Sequence, residues 1–423
     1  MRANEGRAAP ERNGSMTDLA APRALEQRAR RRSIAFLNWA HATDHYVMLI
    51  YPTVVIGLEA VYARSYAELI ALSTAAFITF GVFSLPAGWL ADHWSRRNMM
   101  AVFWFGCGSS LAAGGMAPNV YVLAAALAVL GMFASIYHPV GMAMLIEASK
   151  ARGRTLAFNG VCGNLGAALA AGITALIASY FGWRAAFFVP AALCLITGAF
   201  YLALMPDDRH QTAKRESAPQ ARPGRVAAVL MFGLFIVIAL CAGLVFNVIS
   251  VALPKIVDER INNVSLVVVG GLTTTVFIAG AMAQLAIGRL VERFAPHMLL
   301  MAITAILFAG VIWSAYASGP LLMAALMVAM IGIYGQVTVN DVVIARYTAD
   351  AWRGRVYAVR YFLVFISSGA AVAIIAFLHS RGGFDLVLLV TAAISLAFFV
   401  ATLGVAVIAS GAETGRRAAV PAE

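Results

Sequence analysis

Residues 72–90 read LSTAAFITFGVFSLPAGWL, and residues 272–290 read LTTTVFIAGAMAQLAIGRL. Leu72, Thr74, Phe77, Ile78, Leu85, Gly88 and Leu90 recur as Leu272, Thr274, Phe277, Ile278, Leu285, Gly288 and Leu290. That is seven identities where so apolar a composition gives roughly two by chance. Both stretches are close to the ~20 apolar residues that carry a helix across a ~30 Å hydrocarbon layer. Membrane barrel strands alternate apolar and polar residues, and these runs do not. The repeated unit is therefore a membrane-crossing helix. The echo continues beyond it: Asp92 returns as Glu292, and Arg152-Gly153-Arg154 returns as Arg353-Gly354-Arg355.

The rest of the chain fits that unit. Of 423 residues, 61% are hydrophobic and 12% charged, against about 45–50% and about 25% in a soluble protein. A soluble enzyme and a disordered regulator are excluded. Apolar runs predict twelve transmembrane helices near 34–58, 66–91, 97–117, 120–147, 155–181, 184–205, 226–254, 265–291, 297–317, 320–346, 355–380 and 384–410. The long polar interruption at 206–225 is read as a linker between a first six-helix half, 34–205, and a second, 226–410. A repeat of six helices keeps both halves in the same orientation. The expected fold is an all-α membrane protein, two parallel six-helix halves around a central cavity, the design of an alternating-access transporter.

Charge sets the orientation. With the N-terminus inside, 26 of the 31 lysines and arginines fall in the tails, the linker and the loops on that side; Arg64, Arg184, Lys255, Arg260 and Arg381 remain outside. This is the positive-inside pattern, and it places both termini in the cytoplasm. It also explains the net charge of +11 without nucleic acid. Residues 1–33 and 411–423 are expected to be cytoplasmic tails, the first disordered and basic. Cys107, Cys162, Cys194 and Cys241 all lie within apolar runs and read as small core residues.

The second helix ends in Gly88-Trp89-Leu90-Ala91-Asp92-His93-Trp94-Ser95-Arg96-Arg97. This resembles the loop signature of the major facilitator superfamily, G-x-x-x-D-R/K-x-G-R-R/K, with His93 and Ser95 as departures. Gly288-Arg289-Leu290-Val291-Glu292-Arg293 looks like its degraded second copy, and Phe181-Gly182-Trp183-Arg184 resembles the turn between that family's fifth and sixth helices. The resemblance implies that Asp92 faces the start of the eleventh helix, and that Gly88 lets helices approach closely. Arg96, Arg97, Arg152 and Arg154 would complete a charge cluster that locks the halves while the site faces outward. Glu292, Arg293, Arg353 and Arg355, with Gly288, would form its pseudo-symmetric counterpart. The alternative is that these arginines only anchor loops to anionic headgroups.

Ionisable groups at membrane depth are functional candidates. The first helix carries Asn38, His41, Asp44 and His45, and the i+3 and i+4 spacings from His41 put the three titratable groups on one face. Asp44 lies about 15 Å along the helix, near the midplane. A carboxylate sharing a face with imidazoles can take a proton on one side and release it on the other. The alternatives are a static hydrogen-bonded trio and, less favoured, a metal site. The fourth helix carries Tyr137-His138-Pro139, whose proline frees carbonyls beside it. This step is similar to that of the superfamily's fosmidomycin-resistance-type exporters. The family's first, fourth, seventh and tenth helices line the cavity, which implies roles for Asn247, Tyr334, Gln336, Asn340 and Asp341; Arg360 is a candidate partner of Asp341 or of an anionic substrate. In the fifth helix, the glycines of Asn159-Gly160-Val161-Cys162-Gly163-Asn164-Leu165-Gly166 suit tight helix contact.

No GxxxxGK[ST] phosphate loop occurs, which argues against ATP hydrolysis. The expected function is secondary transport of a small molecule across a bacterial inner membrane, by proton-coupled efflux, by a monomer with no cofactor and no metal. Proton symport of an organic acid is the alternative within the class. A metal-dependent membrane enzyme and a non-transporting sensor are the alternatives outside it.

Overall fold

The computed structural model describes residues 16–149, 152–206, 225–261, 263–348 and 350–419. Among them the secondary structure is helical throughout, with no strand. The first half comprises α1 (Met16–Met48), α2 (Ile50–Tyr62), α3 (Tyr66–Ala71), α4 (Thr74–His93), α5 (Arg96–Met116), α6 (Val120–Ala134), a π-helical turn (Tyr137–Gly141), α7 (Met142–Ala148), α8 (Arg152–Phe181) and α9 (Ala185–Leu204). The second comprises α10 (Arg225–Arg260), α11 (Leu266–Leu290), α12 (Pro296–Tyr316), α13 (Gly319–Tyr347) and α14 (Asp350–Ala419). Eleven of the described helical segments are long and apolar enough to cross a membrane. The last, Phe362–Gly411, is 50 residues long and holds both the eleventh and twelfth expected spans.

The differences from expectation have local causes. The eleventh and twelfth expected helices lie on either side of Gly382 and Gly383, whose backbone angles are non-helical; Gly383 takes φ +58°, a conformation glycine adopts without a Cβ penalty. The first span breaks at Leu49, where Pro52 can offer no N–H to the carbonyl of Met48. Helix α1 begins at Met16, inside the stretch expected to be disordered. Further along α1, the Nε of Arg30 lies 2.9 Å from the carbonyl of Ala148 and caps the end of α7. The expected tail beyond 410 likewise stays helical to Ala419. Residues 1–15, the 207–224 part of the linker and residues 420–423 lie outside the described residues.

Two main seams join the halves, α4 against α14 and α8 against α11, with smaller contacts of α3 on α14 and α2 on α10. The repeat carries the second helix onto the eighth and the fifth onto the eleventh, so each seam is the image of the other. Both are built from small residues, which let backbones approach in a medium with no hydrophobic drive between helices. A Cβ on Gly81 would stand 2.9 Å from the carbonyl oxygen of Phe365, and one on Gly369 would stand 3.2 Å from the backbone nitrogen of Ile78. In the other seam, a Cβ on Gly270 would meet the carbonyl of Ala171 at 2.7 Å, and the amide of Gly172 donates to Thr274 at 3.1 Å. The Ser368 hydroxyl donates across the first seam to the carbonyl of Phe77 at 3.2 Å.

Candidate functional site

Three helices of the first half bring their polar groups to one place. Pro139 interrupts the hydrogen-bond ladder of the fourth span, and the chain widens into the π-helical turn Tyr137–Gly141. Such turns recur at functional sites. This one presents Tyr137 and His138 to α1. His41 stacks on Tyr137 with centroids 4.8 Å apart, and His138 meets the rings of His41 and His45 edge-on at 5.4 and 5.8 Å. One nitrogen from each of His41, His45 and His138 lies within 4.8 Å of the others.

Asp44 is 1% exposed. Its Oδ2 lies 3.4 Å from Nε2 of His138, while Oδ1 is buried with no hydrogen-bond partner. The pairing differs from the same-helix trio expected: Asp44 takes its imidazole from the fourth span. His41 instead points Nδ1 at the carbonyl of Asn159, 2.8 Å away. A carbonyl only accepts, so that nitrogen carries the hydrogen.

Asn159, on α8, is the member that sequence reasoning passed over as part of a glycine stretch. It is fully buried, accepts from the Tyr137 hydroxyl at 3.1 Å and donates to Asn38 Oδ1 at 3.0 Å. The signal available was a carboxamide at membrane depth. Gly163 and Gly166 press α8 onto α1, since a Cβ at Gly163 would strike the His41 ring and one at Gly166 the backbone of Ala42. The opposite half reaches this site through Phe365, whose ring centroid is 5.2 Å from that of His138.

The second half offers amides and rings. Tyr334 is buried between Phe246 and Phe277 with its hydroxyl unpartnered. Asn340 donates to Gln336 at 3.2 Å, and Asn247 turns back to the carbonyl of Gly243 at 2.8 Å. Arg360 and Asp341 form an ion pair. A polar chain not foreseen crosses the seam: Gln284 bonds Asn164 of the first half and Thr338 on α13.

The expected lock is not assembled among the described residues. Asp92 pairs with Arg96 at 2.9 Å, and Arg96 also reaches Glu147 at 3.0 Å, all within the first half. Arg97 donates to the carbonyls of Leu202 and Met205, tying α5 to the end of α9. Gly88 faces Pro139, 3.2 Å from where its Cβ would stand, rather than a helix of the second half. Nothing lies within 4 Å of a Cβ at Gly288. Glu292 and Arg293 are exposed and make no ion pair with a described residue. The side chains of Arg152, Arg154, Arg353 and Arg355 lie outside the described residues.

The family model described as Major Facilitator Superfamily matches residues 34–262 and, again, 235–421. The chain is 33% identical over 141 residues to the puromycin resistance protein pur8 of Streptomyces alboniger, covering 32% of this chain and 27% of that one. It is 27% identical over 256 residues to a probable 4-methylmuconolactone transporter of Cupriavidus pinatubonensis, covering 57% of each. The chain thus spans from about a quarter to just over half the length of these curated relatives. A bacterial homolog of the human lysosomal transporter Spinster, solved inward-facing and unoccupied, superposes with TM-score 0.70 at 13% identity, over 90% of this chain and 96% of that one. The D-xylose-proton symporter does so with TM-score 0.69 at 15% identity, over 88% and 96%.

Proposed function

The chain belongs to the major facilitator superfamily, hence is a membrane transporter rather than an enzyme, and from that premise we propose that it expels a small molecule in exchange for protons carried by Asp44 and His138. One observation carries the reading. Asp44 is buried with one oxygen against His138 and the other without a partner, an arrangement that a single proton completes. His41 and His45 stand beside it as further proton acceptors, and Phe365 links it to the half that must move. Asn38, Tyr137, Asn247, Tyr334, Gln336 and Asn340 form the polar part of the substrate path.

Efflux is favoured by the His138-Pro139 step and by a relative named for puromycin resistance. Uptake by proton symport is the second reading. The Arg360–Asp341 pair, the muconolactone transporter and the xylose–proton symporter favour it. In either case the monomer sits in a bacterial inner membrane with both termini cytoplasmic, as the distribution of arginines supports. Asp92, Arg96, Arg97, Arg152, Arg154, Arg353 and Arg355 serve as the cytoplasmic gate when the site faces outward.

The test has two stages. Cells expressing the chain are screened for altered accumulation of a panel that includes puromycin and lactone acids. The compound that responds is then followed in proteoliposomes with and without a pH gradient. Asp44→Asn is expected to abolish gradient-driven transport and to spare exchange of substrate for substrate. Transport indifferent both to the gradient and to Asp44→Asn would refute the coupling.

A further inference from the structure

At the end of the bundle away from Asp92 and Arg96 lies a second group of charges, outside the site described above. Lys255, near the end of α10, is only 7% exposed. Its ammonium lies 2.5 Å from Glu59 on α2, 3.0 Å from Asp258 and 3.8 Å from Glu259. His379 of α14 meets the same Glu259 at 3.0 Å. The ring of Tyr66, at the start of α3, packs on His379 and Phe384 with centroids 4.9 and 5.8 Å apart, and stands 5.7 Å from the Lys255 ammonium. Glu59 and Tyr66 belong to the first half, the other residues to the second. Among the described residues, Lys255–Glu59 is the one ion pair that joins the halves.

We propose that Lys255–Glu59, backed by the Tyr66–His379–Phe384 rings, is the latch that closes this side of the pathway and breaks whenever the site opens towards it. The inference rests on the alternating-access reading but not on the identity of substrate or coupling ion. Breaking a buried pair is normally expensive, because it strands a charge away from water. This pair is built to avoid that penalty. When the halves part, Lys255 keeps Asp258 and Glu259, three and four residues along its own helix. Glu59 already has 30% of its side chain exposed, so water can replace the lysine. The contact is therefore strong enough to hold the closed form and cheap enough to be broken repeatedly. Arg260 makes the contrast: it binds the carbonyls of Ser314 and Ala315 and the carboxylate of Asp385, all in its own half, and has nothing to release.

The test measures distances rather than transport. Cys107, Cys162, Cys194 and Cys241 are replaced by serine, and spin labels are placed at Val61→Cys and Ser380→Cys, both exposed and one on each half. Double electron–electron resonance is recorded on the full chain in lipid nanodiscs. In the near-isosteric Glu59→Gln, the ratio of a longer to the short distance should rise by about fivefold, as for loss of a partly exposed pair whose cation keeps its other partners. Glu59→Asp should recover part of the change, and Tyr66→Ala should shift the ratio in the same direction. Glu68→Gln is the control, because Glu68 pairs with Arg64 and Ser65 inside the first half, and its trace should match the parent. An unchanged distribution in Glu59→Gln, or an equal shift in Glu68→Gln, overturns the latch. A shift in Glu59→Gln alongside transport that ignores a pH gradient would leave the latch standing and remove the coupling; gradient-driven transport with unmoved distances would do the reverse.

Discussion

Replacing Asn159 with leucine, a residue of similar length, probes the joint that holds α1, the π-helical turn and α8 together. The main-chain carbonyl that binds His41 at 2.8 Å survives the change. What disappears is the carboxamide, which accepts from Tyr137 at 3.1 Å and donates to Asn38 at 3.0 Å and to the Leu37 carbonyl at 3.4 Å. The 3.4 Å contact is long and adds little. The Tyr137 hydroxyl, in a residue with no exposed surface, is left without its acceptor. Side-chain hydrogen bonds between membrane helices average about 0.6 kcal/mol and reach about 1.7. Losing two gives an expected destabilisation of about 1–3 kcal/mol. The assay is reversible unfolding in mixed micelles, run as a double-mutant cycle with Tyr137→Phe. That second change removes the hydroxyl itself, so the double variant should recover about 0.6–1.7 kcal/mol of the summed single losses. Strict additivity, or an Asn159→Leu protein as stable as the parent, would refute the network as the joint of the site.

Two further outcomes follow from the packing. Gly81→Ala puts a methyl 2.9 Å from the carbonyl oxygen of Phe365, which cannot yield without moving α14, and should lower stability by about 1–3 kcal/mol. Gly288→Ala meets open space and should be neutral or stabilising by up to about 1 kcal/mol, as alanine for glycine in a helix; thermal denaturation of the two variants side by side separates these signs. Arg30→Ala removes the cap on the Ala148 carbonyl and should speed hydrogen exchange in α7 selectively, with α5 unchanged. Uniform protection would show that the helix end is held by something else.

The major facilitator fold was legible in the chain because its evidence is one-dimensional. Twenty-residue apolar runs report helices whose backbone bonds must close within the segment, and the echo of 72–90 in 272–290 reports a duplicated half. The break at Leu49 and the helix running past residue 33 towards the N-terminus were not legible in the same way. Each depends on contacts with a part of the chain far away in sequence or on backbone angles at one residue, as Arg30 with Ala148 and Leu49 illustrate. The candidate site shows the same division. Helical spacing put His41, Asp44 and His45 on one face. It could not say that Asp44 would meet His138 rather than His41, nor that Asn159 would stand between Asn38 and Tyr137, since 118 residues separate Asn159 from His41.

Apolar length and internal repetition determined by themselves that this is a two-half helical membrane protein, since lipid forbids an unpaired backbone and so leaves few folds to choose from. Which charges lock which helices was decided only in three dimensions. The sequence pointed to Asp92 and the arginines, yet in this structure Asp92 pairs within its own half, while Glu59 and Lys255 cross between halves on the other side. Charge pairing depends on a few ångströms of side-chain reach between helices. That distance is set by glycines such as Gly81, Gly166 and Gly270 at the contacts, and no pattern along a single strand of sequence contains it.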